Sequence, residues 1–181
     1  MGFVLGIREP AFIDAGERRR KVELIMDDLA IVRVLHVLGV VIWIGGVGMV
    51  TAVVLPAKYS SAEERVRVFE AVESRFAWVA RAMTLLVGFS GLYMLWKLHL
   101  WGRFSDPSYW WMHAMVCVWA IFTFLLFIAE PLFLRRRFAQ RARSAPEKTF
   151  RLAQRVHWIL LLASLITIAG AVAGAHGYVL F

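Results

Sequence analysis

The sequence predicts an all-α membrane protein, folded as an antiparallel bundle of four transmembrane helices. Of its 181 residues, 60% are hydrophobic, the mean hydropathy is +0.65, and the apolar residues fall in long blocks rather than at amphipathic spacing. A helical crossing of a bilayer takes roughly 20 apolar residues. Residues 34–57, 107–129 and 156–181 each contain no Asp, Glu, Lys or Arg, and each run is long enough to cross the hydrocarbon core at about 1.5 Å per residue.

The remaining span has a shorter uncharged run, 82–96. Arg81 and Lys97 bracket it, and Trp78 and Trp101 lie just outside, the pattern of snorkelling cations and an aromatic belt at two interfaces. The four helices are placed at about 31–56, 76–99, 107–131 and 153–178, with a re-entrant segment as the alternative for the second. Proline marks their ends at Pro56, Pro107 and Pro131, where a missing amide proton costs least.

Residues 1–30 form a separate N-terminal segment before the transmembrane domain, 31–181. The segment mixes acids and bases behind an apolar stretch, 1–7, that is too short for a cleavable signal peptide. Within it, 17–30 has the composition of a short interfacial helix leading into the first span.

The net charge is +8 and the isoelectric point about 10.4. The basic residues sit mostly between spans, which points to membrane topology and anionic lipid rather than nucleic acid. Arg135, Arg136, Arg137, Arg141, Arg143, Lys148 and Arg151 make the connection 132–153 the strongest charge feature. That connection is expected on the cytoplasmic side, which makes this a multi-pass inner-membrane protein with both termini extracytoplasmic. The cluster from Arg18 to Lys21 pulls the other way. Cys117, the single cysteine, lies within a span; no internal disulfide or multi-cysteine metal centre can form, and it reads as an apolar filler.

Ionisable or ligand-type residues inside a bilayer demand a reason. His36 begins the first span, His99 ends the second, His113 lies early in the third and His176 late in the fourth, so all four approach one membrane side. His157 starts the fourth span at the other side, roughly 28 Å from His176 at helical rise. Imidazoles projecting from facing helices at one depth are what a haem or metal site in a bundle requires. His36 and His113, one or two turns inside their spans, are the candidate axial pair; His99 and His176 are further candidate ligands, or histidines that simply meet headgroups.

His36, Gly39, Trp43 and Gly46 share one face of the first helix. Glycines there would let a flat porphyrin lie against the backbone; the rival reading is helix–helix contact, the usual use of small residues in lipid. Arg33, one turn from His36, is a candidate partner for a haem propionate, as are Lys97 and Arg103. Copper is the competing metal, with Met112, His113 and Met115 as soft and imidazole donors. Glu130, beside Pro131, is either a proton-relay group or the ion-pair partner of an arginine in the connection that follows. No phosphate loop, nucleophile–base motif or intramembrane carboxylate pair occurs, which leaves hydrolases and nucleotide-driven mechanisms without support.

The string from Leu35 to Gly46, LHVLGVVIWIGG, resembles the opening of two membrane families, the HemJ-type protoporphyrinogen oxidases and the CopD-type copper-resistance proteins. The HemJ resemblance extends to Arg81-Ala82-Met83-Thr84 and to Trp111-Met112-His113-Ala114, in order, and covers roughly residues 33–175. It implies a four-helix haem b protein in which His36 matches the family's first-helix histidine. The family pattern carries a lysine two residues after the third-helix histidine, and Met115 stands there in this chain.

The expectation is a membrane b-type haem protein that transfers electrons, ligated by His36 and His113, with a redox partner or quinone beyond it. A HemJ-like oxidase, a CopD-like copper transport or handling protein, and a cofactor-free subunit of a homo-oligomer or larger complex are the alternatives.

Overall fold

The computed structural model describes residues 15–178, and among them the chain is helical, with no strand. Five α-helices follow in order: α1 (Ala15–Met49), α2 (Ala62–Lys97), α3 (Trp110–Phe124), α4 (Arg135–Ser144) and α5 (Pro146–Ala175). Two of them widen into π-helix at their ends, α1 over Val50–Val54 and α3 over Leu125–Leu134. Four helical stretches are long and apolar enough to cross a membrane: Met26–Val54, Ala62–Lys97, Pro107–Leu134 and Pro146–Ala175. The bundle expected from the hydrophobic blocks is the fold.

The helix ends differ from the block edges, because hydropathy marks where a helix meets lipid and not where it starts. α1 runs unbroken from Ala15, so 17–30 and the first span are one helix; residues 1–14 lie outside the described region. α2 starts well before residue 76, at a polar N-terminus. The Ser61 hydroxyl accepts from the Glu64 amide at 3.1 Å, and the Glu64 carboxylate accepts from the Ser60 amide at 3.0 Å, which together serve two otherwise orphaned donors. At the other end, His99 adopts a left-handed conformation (φ 52°, ψ 41°) and stops the helix. A 3-10 turn, Leu100–Ser105, then leads to Asp106, whose carboxylate accepts from the Ser108 amide at 2.9 Å ahead of Pro107.

The basic connection after the third span is not an open loop. Part of it forms α4, and α5 begins at Pro146 rather than near 153. Phe138 and Ala142, four residues apart on α4, pack with Phe69 of α2 and Phe150 of α5. The Phe69–Phe138 and Phe138–Phe150 ring centroids are 4.9 and 5.4 Å apart. Val50 and Leu55 complete this cluster, which closes the basic end of the bundle.

Around the bundle α1 lies beside α2 and α5, and α3 completes the circuit between those two. Across the diagonal Trp43 of α1 meets Phe122 of α3 edge to face, with centroids 4.8 Å apart. Val47, Ala80, Val87 and Leu161 surround that pair. Rings seated on glycine bring the neighbouring backbones close. A Cβ on Gly88 would lie 2.7 Å from the Trp119 ring, and Trp110 and Trp111 cover Gly170 and Gly174 in the same way.

Two prolines impose a second constraint. In a π turn the amide five residues on serves each carbonyl, and the Leu55 amide bonds the Val50 carbonyl in this way at 3.0 Å. The next residue, Pro56, has no amide proton for Thr51, and the Gln154 side-chain amide of α5 donates to the Thr51 carbonyl instead, at 2.7 Å. The third span repeats the device. Pro131 leaves Leu126 without its amide five residues on, and the Arg81 Nε of α2 donates to the Leu126 carbonyl at 3.0 Å. Unsatisfied carbonyls are costly in lipid, so each proline tethers its span to a side chain on a neighbour.

Two stability predictions follow from these contacts. Gly88→Ala should destabilise the detergent-solubilised protein by about 1–3 kcal/mol, since the added carbon must displace Trp119 and its 2.9 Å bond to the Thr84 carbonyl. Gly45→Ala, with nothing within 4 Å, should stay within about 0.5 kcal/mol of wild type; equal thermal-unfolding midpoints for the two variants would contradict this packing. For the proline device, Gln154→Leu should cost about 1–3 kcal/mol, and appreciably less in a Pro56→Ala background, where residue 56 regains an amide proton. A double-mutant cycle measures the coupling, and a coupling near zero would mean that Gln154 does not substitute for that amide.

Candidate functional site

The candidate ligands divide by where their rings point. His36 lies on the inward face of α1, half-buried, and its Nδ1 is 2.9 Å from the Ser90 hydroxyl of α2. Ser90 has one proton to give, and its hydroxyl lies 2.5 Å from the Leu86 carbonyl. With that proton on Leu86, the hydroxyl accepts from His36, which assigns the histidine proton to Nδ1. With Nδ1 protonated, the lone pair of the neutral ring is on Nε2, and the Val87 backbone is a further hydrogen-bond partner of the ring. A second residue that fixes the tautomer and leaves the lone pair on the other nitrogen is the usual support of a histidine ligand. A Cβ on Gly91 would lie 3.3 Å from the His36 ring, so α2 holds the imidazole on its flank as well as at Nδ1.

His113 sits differently. Trp111 and Met112 are buried, while His113 is exposed, as are Val116, Cys117, Ala120 and Phe124 along the same side of α3. Its Nε2 donates to the Phe104 carbonyl at 3.1 Å, and its ring meets the Phe104 ring edge to face at 5.3 Å. Ser90 and Phe104 thus hold the two candidate axial histidines separately. His99 is an exposed residue whose backbone ends α2. His176 is exposed at the end of α5, its Nδ1 donating to the Val172 carbonyl at 2.8 Å. Among the described residues no three His, Cys, Asp or Glu side chains are grouped to hold a metal ion.

On the helix 1 face, protein side chains meet the glycines. Val87 and Leu86 lie against Gly39, Phe76 covers Gly46, and Trp43 is in the core against Phe122. His36, and Arg33 one turn away, exposed and without an ion pair among the described residues, fit a haem edge and propionate; Gly39, Trp43 and Gly46 fit the packing of α1 on its neighbours. For copper, Met112 is buried and Met115 exposed.

Several side chains that bond within the spans escape sequence reasoning. Ser90 is one, a residue with no mark beyond its place in an apolar run. Arg81 is a second: rather than snorkelling, it turns inward, donating Nη2 to Glu130 at 3.0 Å, with both side chains only 19% exposed. Glu130 pairs with this arginine of the second span. The pair lies a few turns from the imidazoles, toward the basic end. It adjoins a cavity of about 640 Å³ with a mainly apolar lining that includes Trp43, Phe76, Phe122 and Leu160, together with Glu130 and His157. His157 donates Nδ1–H to the Ala153 carbonyl at 2.9 Å, leaving Nε2 as an acceptor on the wall of that cavity.

Set beside known proteins, the chain matches no family model, no curated protein and no solved structure.

Proposed function

We propose that this chain is a membrane electron-transfer protein carrying a b-type haem on His36, at the end of the bundle opposite the basic helix. The observation that supports the reading most directly is the Ser90–His36 pair, which leaves an Nε2 lone pair on an inward-facing imidazole within an apolar span. An intramembrane imidazole held in one tautomer is an expensive feature to keep without use. Arg33 supplies a cation for a propionate at the same level.

When bound, haem would supply a one-electron redox centre. The chain's own residues hold and orient it: Ser90 fixes the His36 ring, and Gly91 lets that ring lie close to α2. His113, exposed on α3 and bonded to the Phe104 carbonyl, would have to turn inward to be the second residue that holds it. With both histidines holding it, haem would supply electron transfer to a partner or quinone rather than oxygen activation. The cationic α4 end belongs on the cytoplasmic side of an inner membrane by the charge bias of membrane loops; the haem and both termini then lie toward the outer face.

A reduced-minus-oxidised absorption spectrum of the purified protein tests this. Sharp b-type bands are expected, absent in His36→Ala and with haem affinity about tenfold lower in Ser90→Ala. His113→Ala should convert a low-spin to a high-spin spectrum. Full haem retention in His36→Ala rejects the ligand assignment, and an unchanged low-spin spectrum in His113→Ala rejects the second ligand. A featureless spectrum with bound copper supports copper handling instead, and restored porphyrin synthesis in a deficient strain supports the oxidase.

A further inference from the structure

The cavity near Arg81 and Glu130 has features that the electron-transfer reading does not use. It runs down the middle of the bundle from Trp43, Phe122 and Leu160 to Lys148, Arg141 and Arg137. Along α5 the stretch from Leu160 to Lys148 covers about 18 Å at helical rise, close to the roughly 15 Å depth of one leaflet's hydrocarbon. Its 640 Å³ falls in the range of small-molecule sites.

The chemistry of the two ends is opposite. At the deep end the walls are aromatic and aliphatic, and Trp43, only 3% exposed, has a buried indole N–H without a hydrogen-bond partner. Around the rim stand Arg137, Arg141 and Lys148, exposed side chains that form no ion pair with a described carboxylate. Two carboxylates also line the space, Glu73 and Glu130, and Glu130 is already neutralised by Arg81. Counting Glu73 as ionised, the rim keeps an excess of two positive charges. An apolar chamber of leaflet depth with a cationic rim complements a molecule with a hydrocarbon tail and an anionic head.

We propose that this cavity is a binding site for an anionic lipid, its headgroup held among Arg137, Arg141 and Lys148 and an acyl chain inserted toward Trp43. The tail follows the mainly apolar lining between α1, α3 and α5. Because α4 supplies two of the three cations and also packs on Phe69 and Phe150, bound lipid would hold α4 down on the bundle. The site is distinct from His36 and stands whether or not haem is present.

The test uses the full chain reconstituted in phosphatidylcholine nanodiscs doped with phosphatidylglycerol brominated on its acyl chains. The signal of Trp43 is taken as the fluorescence difference between wild type and Trp43→Phe. Brominated phosphatidylglycerol should quench that component about fivefold more effectively than brominated phosphatidylcholine at the same fraction, with reversal by unlabelled phosphatidylglycerol. The combined variant Arg137→Gln, Arg141→Gln, Lys148→Gln should lose the preference for the anionic lipid. Leu160→Trp, which fills the deep end and leaves the cations in place, should lose the quenching of Trp43, read there as the difference between Leu160→Trp with and without Trp43→Phe. Equal quenching by the two lipids overturns the proposal in favour of a neutral occupant. Loss in the charge variant with full quenching in Leu160→Trp overturns it in favour of attraction to the surface of α4 alone. Absorption spectra of the same samples separate this result from the haem reading, since neither variant alters His36 or Ser90.

Discussion

Backbone carbonyls that lose their donors govern how this bundle is held together. In lipid there is no water to serve them, and both Pro56 and Pro131 remove a donor near the basic end of a span. The chain answers with side chains from other helices, Gln154 for Thr51 and Arg81 for Leu126. Each answer ties two helices at a fixed depth, α1 to α5 and α2 to the end of α3. The apolar packing is then free of any need to set register, because two polar bonds already set it. Arg81 also has to be neutralised, and Glu130, adjacent to the proline, does so at 3.0 Å.

The same stretch of the third span borders the cavity near Arg81. Its π-helical residues Leu125, Leu126, Glu130 and Leu134 line the space, together with Arg137, Phe138 and Arg141 of α4. At the imidazole end the described residues form no π-helix. There Trp110 and Trp111 lie on glycines of α5, Val87 and Leu86 lie against Gly39, and the helices close tightly. The molecule is thus asymmetric along the membrane normal, with a dense end that presents one inward histidine and a loose end that presents a cavity and cations.

Much of this was legible from composition alone. Three uncharged runs and a fourth framed by Arg81, Lys97 and two tryptophans located four crossings, because hydrophobic length is set by the bilayer and needs no tertiary information. Helix direction alone put His36, His99, His113 and His176 toward one end of the bundle. What sequence spacing could not supply was rotation about each helix axis. His113 and Trp111 are two residues apart, yet one is exposed and the other buried, and only the neighbouring helices decide which. The polar ends of α2 and α5 were invisible because a hydropathy window reports lipid contact, and α4 was hidden by its charge, although Phe138 and Ala142 at i and i+4 carry its buried face. One further signal was present and unread: a proline near the end of a span, with the acceptor five residues before it, calls for a donor on another helix, and Arg81 and Gln154 are polar side chains in otherwise apolar surroundings.

The polar residues of the spans can be sorted by whether their bonding is complete. Thr51, Ser164 and Thr167 each return a proton to their own helix, to Val47, Leu160 and Ala163, and so have no donor left for a partner. Arg81, Glu130 and Gln154 are consumed by the proline device. His36 is different in kind: its bond to Ser90 completes one nitrogen and leaves a lone pair on the other, and Ser90 cannot serve both because its own proton goes to Leu86. Trp43 is the mirror case, a donor with nothing to receive it. A bundle that satisfies the carbonyls its prolines expose thus leaves other bonds open: an acceptor on His36 near the imidazole end, the Trp43 N–H at the deep end of the cavity, and the buried Thr84 hydroxyl and Arg65 Nε.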